Sequence, residues 1–264
     1  MKFIILLLTI TSLLFSDNPQ RIVSLGPLVT KNLYMLGLTD KVVGITEYCP
    51  EAESKTITKV GSVVKSSIET IVALTPDLVL ATGLTEPSLI EKLEGIGIKT
   101  IRIYTAKSYE EMKSNLKQIG ELTGTLSNAE KIVNDTDLAL QNIIENSSDK
   151  VKVFFQIGTS PVFTISDNNF INDMINFAGG VNVALDSGVG IYSREKVIEK
   201  NPDVIVITTM GGLGEEEKNQ WNIISTMKAV ESKSVYIVDQ DLFCSPTLKQ
   251  YPEAVRQLKQ LIHK

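Results

Sequence analysis

Two glutamates, Glu69 and Glu195, occupy matching places in a motif that the chain contains twice. Ser67-Ile68-Glu69 leads through Pro76-Asp77-Leu78 to Thr82, and Ser193-Arg194-Glu195 leads through Pro202-Asp203-Val204 to Thr208. The interval from serine to proline is the same in both copies. Each copy reads as a short serine-capped helix, a Pro-Asp turn and a buried strand. A carboxylate two residues past the cap lies in the first helical turn, where it complements the partial positive charge of the N-terminus. The chemistry this offers is a fixed negative point on a rigid element, repeated once.

Other reactive residues are few. The single histidine, His263, is next to the last residue and is expected to face solvent. A histidine-based zinc site or a Ser-His-Asp triad therefore cannot be built in the body of the chain. No phosphate-binding loop and no HExxH motif is present. The run Met210-Gly211-Gly212-Leu213-Gly214 lacks the spacing of a dinucleotide fingerprint and has no clear helix behind it. Carboxylate-only chemistry survives, with Asp167 or Asp241 as acid or base, but no carboxylates pair at short spacing. The chain is read as a non-enzyme with no catalytic residues and no metal site of its own.

The elements that must position these residues alternate between strand and helix. Arg21 to Leu25, Val42 to Ile45, Leu78 to Ala81 and Lys99 to Tyr104 read as buried strands. Helices are expected over Thr30 to Leu36, Ile68 to Leu74 and Ser88 to Leu93. From Ser108 to Leu122, apolar Met112, Leu116, Ile119 and Leu122 recur on one helical face. After Gly124, Ser127 and Glu130 form a capping box for a helix expected to reach about Glu145, roughly 30 Å long at 1.5 Å per residue. Val151 to Gln156 then restarts the alternation, followed by Val162 to Ile165, the helix Asn168 to Ala178, and strands Val204 to Thr208 and Ser234 to Val238. A closing helix runs from Pro252 to Ile262, with Ala254, Val255, Leu258 and Leu261 inward.

Alternation of this kind predicts an α/β protein whose sheets are mainly parallel and covered by helices. The duplicated motif makes it two similar lobes rather than an array of short units. Two lobes enclose a cleft, and such clefts take small ligands. The expected division is 17–124 for the N-terminal lobe, 125–148 for a bridging helix and 149–264 for the C-terminal lobe. The lone tryptophan, Trp221, is read as packing.

Residues 1–16 read as an address. Lys2 gives a positive start, Phe3 to Phe15 is nearly all apolar, and Ser16 is a small residue before polar Asp17-Asn18-Pro19. The apolar run is short for a bilayer span and has the length of a signal-peptide core; a retained anchor is the alternative. No cysteine follows until Cys49, so no lipid anchor motif is present, and the expected compartment is the periplasm. The two cysteines, Cys49 and Cys244, are too few for a disulfide framework. A net charge of −5 without a basic stripe argues against a nucleic-acid partner.

An ordered series of segments carries a resemblance. Arg21-Ile22-Val23-Ser24-Leu25-Gly26-Pro27, Val42-Val43-Gly44-Ile45, Lys59-Val60-Gly61 and Glu69 through Val79 come first. Phe154-Phe155-Gln156-Ile157-Gly158, Ala178-Gly179-Gly180 and Ser193-Arg194-Glu195 follow. The series resembles the substrate-binding proteins of ABC importers for cobalamin, ferric siderophores and haem, nearest the cobalamin branch. The resemblance implies two Rossmann-like lobes joined by one long rigid helix, with small closure on ligand. It implies that Glu69 and Glu195 dock on arginines of a membrane permease, where paired charges set orientation and encounter rate. The implied partners are the ABC permease, its ATPase and a small-molecule metal chelate that itself carries cobalt or iron. The chain is expected to be a monomer without a cofactor of its own. A sensory module on the same fold is a further alternative.

Within the resemblance, Tyr48 matches a cleft tyrosine, while Val63 and Leu242 stand where aromatic residues are expected. A basic residue shortly after Phe243 is lost in a small deletion. Tyr48, Tyr192 and Phe243 are the expected apolar platform for a large ring, with Asp241 beside them. By the same resemblance Cys49 and Cys244 sit on the cleft sides of the two lobes. They coordinate a soft metal across the gap, act as small apolar groups, or pair in a disulfide closing the lobes, which would obstruct release.

Overall fold

The structure, a computed structural model, describes residues 18–52, 56–144, 149–208, 212 and 214–264. The expected signal segment 1–16 lies outside these, as do residues 210, 211 and 213 of the glycine-rich loop and 145–148 of the expected bridging helix. The N-terminal lobe is built from β1 (Ile22–Ser24), α1 (Pro27–Met35), a 3-10 turn (Thr39–Lys41), β2 (Val42–Ile45), β3 (Thr58–Lys59), α2 (Ile68–Ala73), β4 (Leu78–Thr82), α3 (Pro87–Gly95) and β5 (Thr100–Ile103). Its strands lie in the order β3-β2-β1-β4-β5, all parallel. Two long helices follow, α4 (Tyr109–Thr123) and α5 (Leu126–Gln141).

The C-terminal lobe comprises β6 (Val151–Gly158), β7 (Phe163–Thr164), α6 (Phe170–Phe177), β8 (Gly180–Asn182), α7 (Arg194–Lys200), β9 (Val204–Ile207), α8 (Gly214–Asn222), α9 (Lys228–Glu231), β10 (Val235–Ile237), α10 (Gln240–Cys244) and α11 (Tyr251–Ile262). Strands run β10-β9-β6, with β8 along the start of β6 and antiparallel β7 along its end. In both lobes the order reverses beside the central strand, the switch point at which open α/β sheets take ligands. At that edge of the first lobe, Gly26 has no room for a side chain, since a Cβ would lie 2.3 Å from Thr82 Cγ2.

The cores show how the lobes are joined. Val23, Val79 and Ala81 face outward and pack with Ile71, Leu89 and Leu93 of α2 and α3. Phe154, Ile205 and Ile207 do the same with Val197 and Trp221 of α7 and α8. The alternate residues Ile22, Leu78 and Leu80 of one sheet and Val153, Phe155, Val204 and Val206 of the other belong to a single buried cluster. Helices α1, α4, α5, α6 and α11 contribute to that same cluster. Each fully buried leucine or isoleucine stabilises by about 1.5–3 kcal/mol, so separating the lobes would expose a large apolar surface.

Four contacts fix the junction. Asp173 of α6 accepts the backbone N–H of Tyr109 at 2.8 Å, capping the start of α4 from the other lobe. The Tyr109 ring stacks on Tyr251 of α11 at 4.9 Å and meets Phe177 of α6 edge-on at 5.8 Å. Its hydroxyl donates to Asp137 of α5 at 2.8 Å.

The bridging helix departs from expectation. It begins at Leu126 behind Thr125, which makes no side-chain capping bond, so the Ser127–Glu130 box is not the start signal. Gly124 in the left-handed conformation (φ 70°) closes α4, and Thr125 N–H bonds back to Gly120 O at 2.7 Å, which leaves no longer loop. The helix ends at Gln141, about 24 Å along at 1.5 Å per residue. Ile143 is buried outside the helix, and its carbonyl accepts Lys259 Nζ of α11 at 2.9 Å. In α11, Ile262 rather than Leu261 completes the buried face.

Candidate functional site

The duplicated motif folds into the same device twice. Ser67 caps α2 by accepting Thr70 N–H, and Ser193 caps α7 by accepting Lys196 N–H, both at 3.2 Å. Both helices end on a residue with positive φ that is not glycine, Thr75 at 45° and Asn201 at 46°. The aspartates that follow hold the neighbouring central strand. Asp77 accepts Gln20 and Arg21 N–H at 2.9 Å ahead of β1, and Asp203 accepts Lys152 N–H at 2.9 Å in β6. Each helix therefore runs antiparallel to the strand behind it, with its N-terminus at the carboxyl edge of the sheet.

Glu69 and Glu195 stand exposed at those N-termini. Both carboxyls are held below the usual carboxylate range, first by their own backbone N–H groups and then by the serine hydroxyls. Ser67 Oγ donates to Glu69 Oε2 at 3.0 Å. The result is one exposed carboxylate, favoured in its ionised form, at the carboxyl edge of each sheet.

Loops at the carboxyl ends of the strands present exposed apolar side chains. Tyr48 after β2 is 80% exposed, Leu84 after β4 is 69% exposed and Tyr104 after β5 is 64% exposed. Arg102 lies 5.9 Å from the Tyr104 ring centroid and donates to Thr85 O at 3.1 Å, tying the ends of β4 and β5 together. In the other lobe Val189 and Ile191 are exposed in the loop that leads into α7. A depression of about 690 Å3, lined by Thr159, Pro161, Ile191, Arg194 and Glu195 among others, opens on this shoulder.

The predicted site residues are only partly assembled. Tyr48 stands exposed on the loop after β2. Tyr192 and Phe243 do not: their rings are buried, at 3% and 0% exposed. Tyr192 packs against Phe154, and its hydroxyl donates to Asp186 at 2.9 Å; burial first and Asp186 second push its pKa up to about 12. Phe243 packs against Phe155 in the shared core. Short α10 turns this aromatic inward because its apolar residues must cover the inner sheet face.

Cys49 is buried against Thr46 Oγ1 at 3.0 Å, and Cys244 is half-buried with its Sγ 3.5 Å from Thr208 Oγ1. Both are free thiols, and burial raises the Cys244 pKa, which disfavours a thiolate. Among the described residues no three His, Cys, Asp or Glu side chains converge on a point. Asp167 is exposed, and Asp241 is engaged by a lysine, so neither forms a carboxylate pair.

That lysine, Lys31 of α1, is absent from the sequence reading. Its Nζ lies 2.5 Å from Asp241 Oδ1 and donates to Ser245 O at 3.1 Å, joining α1 of one lobe to α10 of the other. No local signal could reveal it, since its partners lie more than two hundred positions away. Leu84 and Tyr104 are not singled out by the sequence either: Leu84 lies just past a predicted strand, and Tyr104 reads as the buried end of one, whereas β5 stops at Ile103.

Beneath Glu195, the neighbouring Arg194 pairs with buried Glu217 of α8, and its guanidinium lies 4.5 Å from the Trp221 ring centroid. Gln156 at the end of β6 donates to Glu217 at 2.8 Å and accepts Trp221 Nε1–H at 2.7 Å. Helix α8 itself corrects the expectation that no helix follows the glycine run. Its Glu-rich start hides the usual apolar stripe, since only Gly214, Glu217 and Trp221 are buried.

Comparison with known proteins agrees with this architecture. A model of the periplasmic binding protein family matches residues 22–242. The chain is 34% identical over 238 residues to YvrC, an uncharacterized ABC transporter substrate-binding lipoprotein of Bacillus subtilis, covering 85% of this chain and 74% of that one. It is 28% identical over 244 residues to a vitamin B12-binding protein of Vibrio parahaemolyticus, covering 90% and 88%. The crystal structure of the periplasmic vitamin B12 binding protein BtuF of Vibrio cholerae superposes with a TM-score of 0.76 at 26% identity, covering 93% of this chain and 97% of that one. Two lobes with parallel sheets, a shared core and a family match over most of the sequence lead to one conclusion: this chain belongs to the periplasmic binding protein family, whose members bind solutes for transport and are not enzymes.

Proposed function

We propose that this protein captures a metal chelate, of the corrinoid or ferric-siderophore class, between its lobes and delivers it to the permease and ATPase of an ABC importer. The carrying observation is the duplicated cap-and-clamp device, which puts Glu69 and Glu195 at the same edge of two lobes that share a core. Charges held at a fixed separation suit recognition by a membrane partner that reads orientation. The exposed apolar rim of Tyr48, Leu84 and Tyr104 suits the flat face of a large ring, since aromatic side chains give wide contact at little entropic cost. The vitamin B12-binding relative supports a corrinoid first.

Cys244, half-buried at the end of α10, is the cysteine with surface left to touch such a ligand. The protein acts as a monomer in the periplasm. The deciding experiment replaces both docking charges. Glu69→Arg with Glu195→Arg is expected to abolish uptake in cells while calorimetric affinity for the chelate stays at the wild-type value. Uptake that persists in the double variant refutes the docking role.

A further inference from the structure

The Lys31 contact serves more than surface pairing. Lys31 springs from α1, immediately behind the switch-point residues of the first lobe, and reaches α10 of the second. Its side chain is only 16% exposed, whereas that of Asp241 is 64% exposed. The ammonium is therefore largely enclosed, with one contact to an exposed carboxylate and a second to a backbone carbonyl, Ser245 O, whose position the chain fixes. Side-chain length and the fixed carbonyl together set how near α1 and α10 come. Helix α10 is anchored through Phe243 packed on Phe155, and Asp239 caps its start by accepting Leu242 N–H at 2.7 Å. On the N-terminal side, α1 belongs to the shared core through Val29 and Leu33. Above the core that seats both elements, this double contact is what joins their solvent-facing ends.

We infer that Lys31 is a positioning residue that sets the width of the interlobe cleft, and through it selects among ligands by size. The inference rests on the proposed binding function only for its selectivity arm. With the spacer in place, the groove is preformed and a ligand of matching thickness binds without moving the lobes. Without it, the flank widens, and ligands that differ in bulk are held more nearly alike.

The test uses the full-length mature protein with Lys31→Met, which keeps most of the apolar stem but removes both contacts, and Asp241→Asn, which removes one charge. Ligand-free hydrogen exchange across residues 239–246 is measured first. Faster exchange is expected in Lys31→Met and a smaller increase in Asp241→Asn. Unchanged exchange in both overturns the spacer, whatever the ligand. Affinities for cobalamin and for cobinamide, which lacks the nucleotide loop, are then compared by calorimetry. Lys31→Met is expected to narrow their affinity ratio by roughly two- to fivefold, the scale of a partly buried ion pair. A ratio equal to wild type, with altered exchange, overturns the size selection while leaving the contact real. Failure of the wild-type protein to bind either corrinoid counts against the proposed ligand class, and the exchange result then judges the spacer alone.

Discussion

At the scale of single residues, Ser67 and Ser193 each do two things. They cap a helix, and they donate to the glutamate that follows or help hold it ionised. Replacing both by alanine is expected to cost about 1 kcal/mol per cap, read by chemical denaturation. It should also let both glutamate pKa values rise toward the ordinary range, read by NMR titration. The sign follows from the lowered pKa: the ionised form favours the fold above the unfolded-state pKa, near 4.3 for glutamate. That contribution fades as pH falls through the lower folded-state value. In the wild type, the two glutamate charges thus persist to lower pH than in an unfolded chain. An alanine variant with unmoved glutamate titrations would show that the serines cap without tuning.

At the scale of elements, the turn before each repeated strand carries backbone strain. Thr75 is β-branched yet sits at φ 45°, a region costly for any residue with a Cβ, while the second copy uses better-tolerated asparagine. Thr75→Gly is expected to stabilise the protein by about 1 kcal/mol, seen as a raised denaturation midpoint. A lowered midpoint would mean that the Thr75 side chain contributes more than its conformation costs. Sequence reasoning located these elements because strands, glycines and prolines punctuate the chain locally. It found the Ser-x-Glu and Pro-Asp units by their repetition, and Tyr48 by resemblance. It misplaced Tyr192 and Phe243, because an aromatic residue near a strand end can point either way, and only the packing of α10 and α7 decides which. It overran α5, since Ile143 and Ile144 continue the apolar rhythm after the helix has stopped. Lys31 stayed hidden because its meaning arises from a partner in the other lobe.

For the whole molecule, the shared core is the governing feature. Inner faces of both sheets, with α4, α5, α6 and α11 between them, form one cluster, so neither lobe has a complete core alone. Thermal unfolding is therefore expected as a single calorimetric transition. Two resolved transitions would mean that the lobes fold independently and that the tyrosine cluster at Tyr109 is a mere contact. The same weld keeps Glu69 and Glu195 in a stable relation, which a partner reading both charges at once requires. Trp221, the only tryptophan, lies fully buried under Arg194 on the outer side of the C-terminal sheet, in a core cluster apart from the shared one. The molecule's sole indole chromophore thus watches the outer shoulder that carries Glu195, and its emission is blind to the inner sheet faces that weld the lobes together.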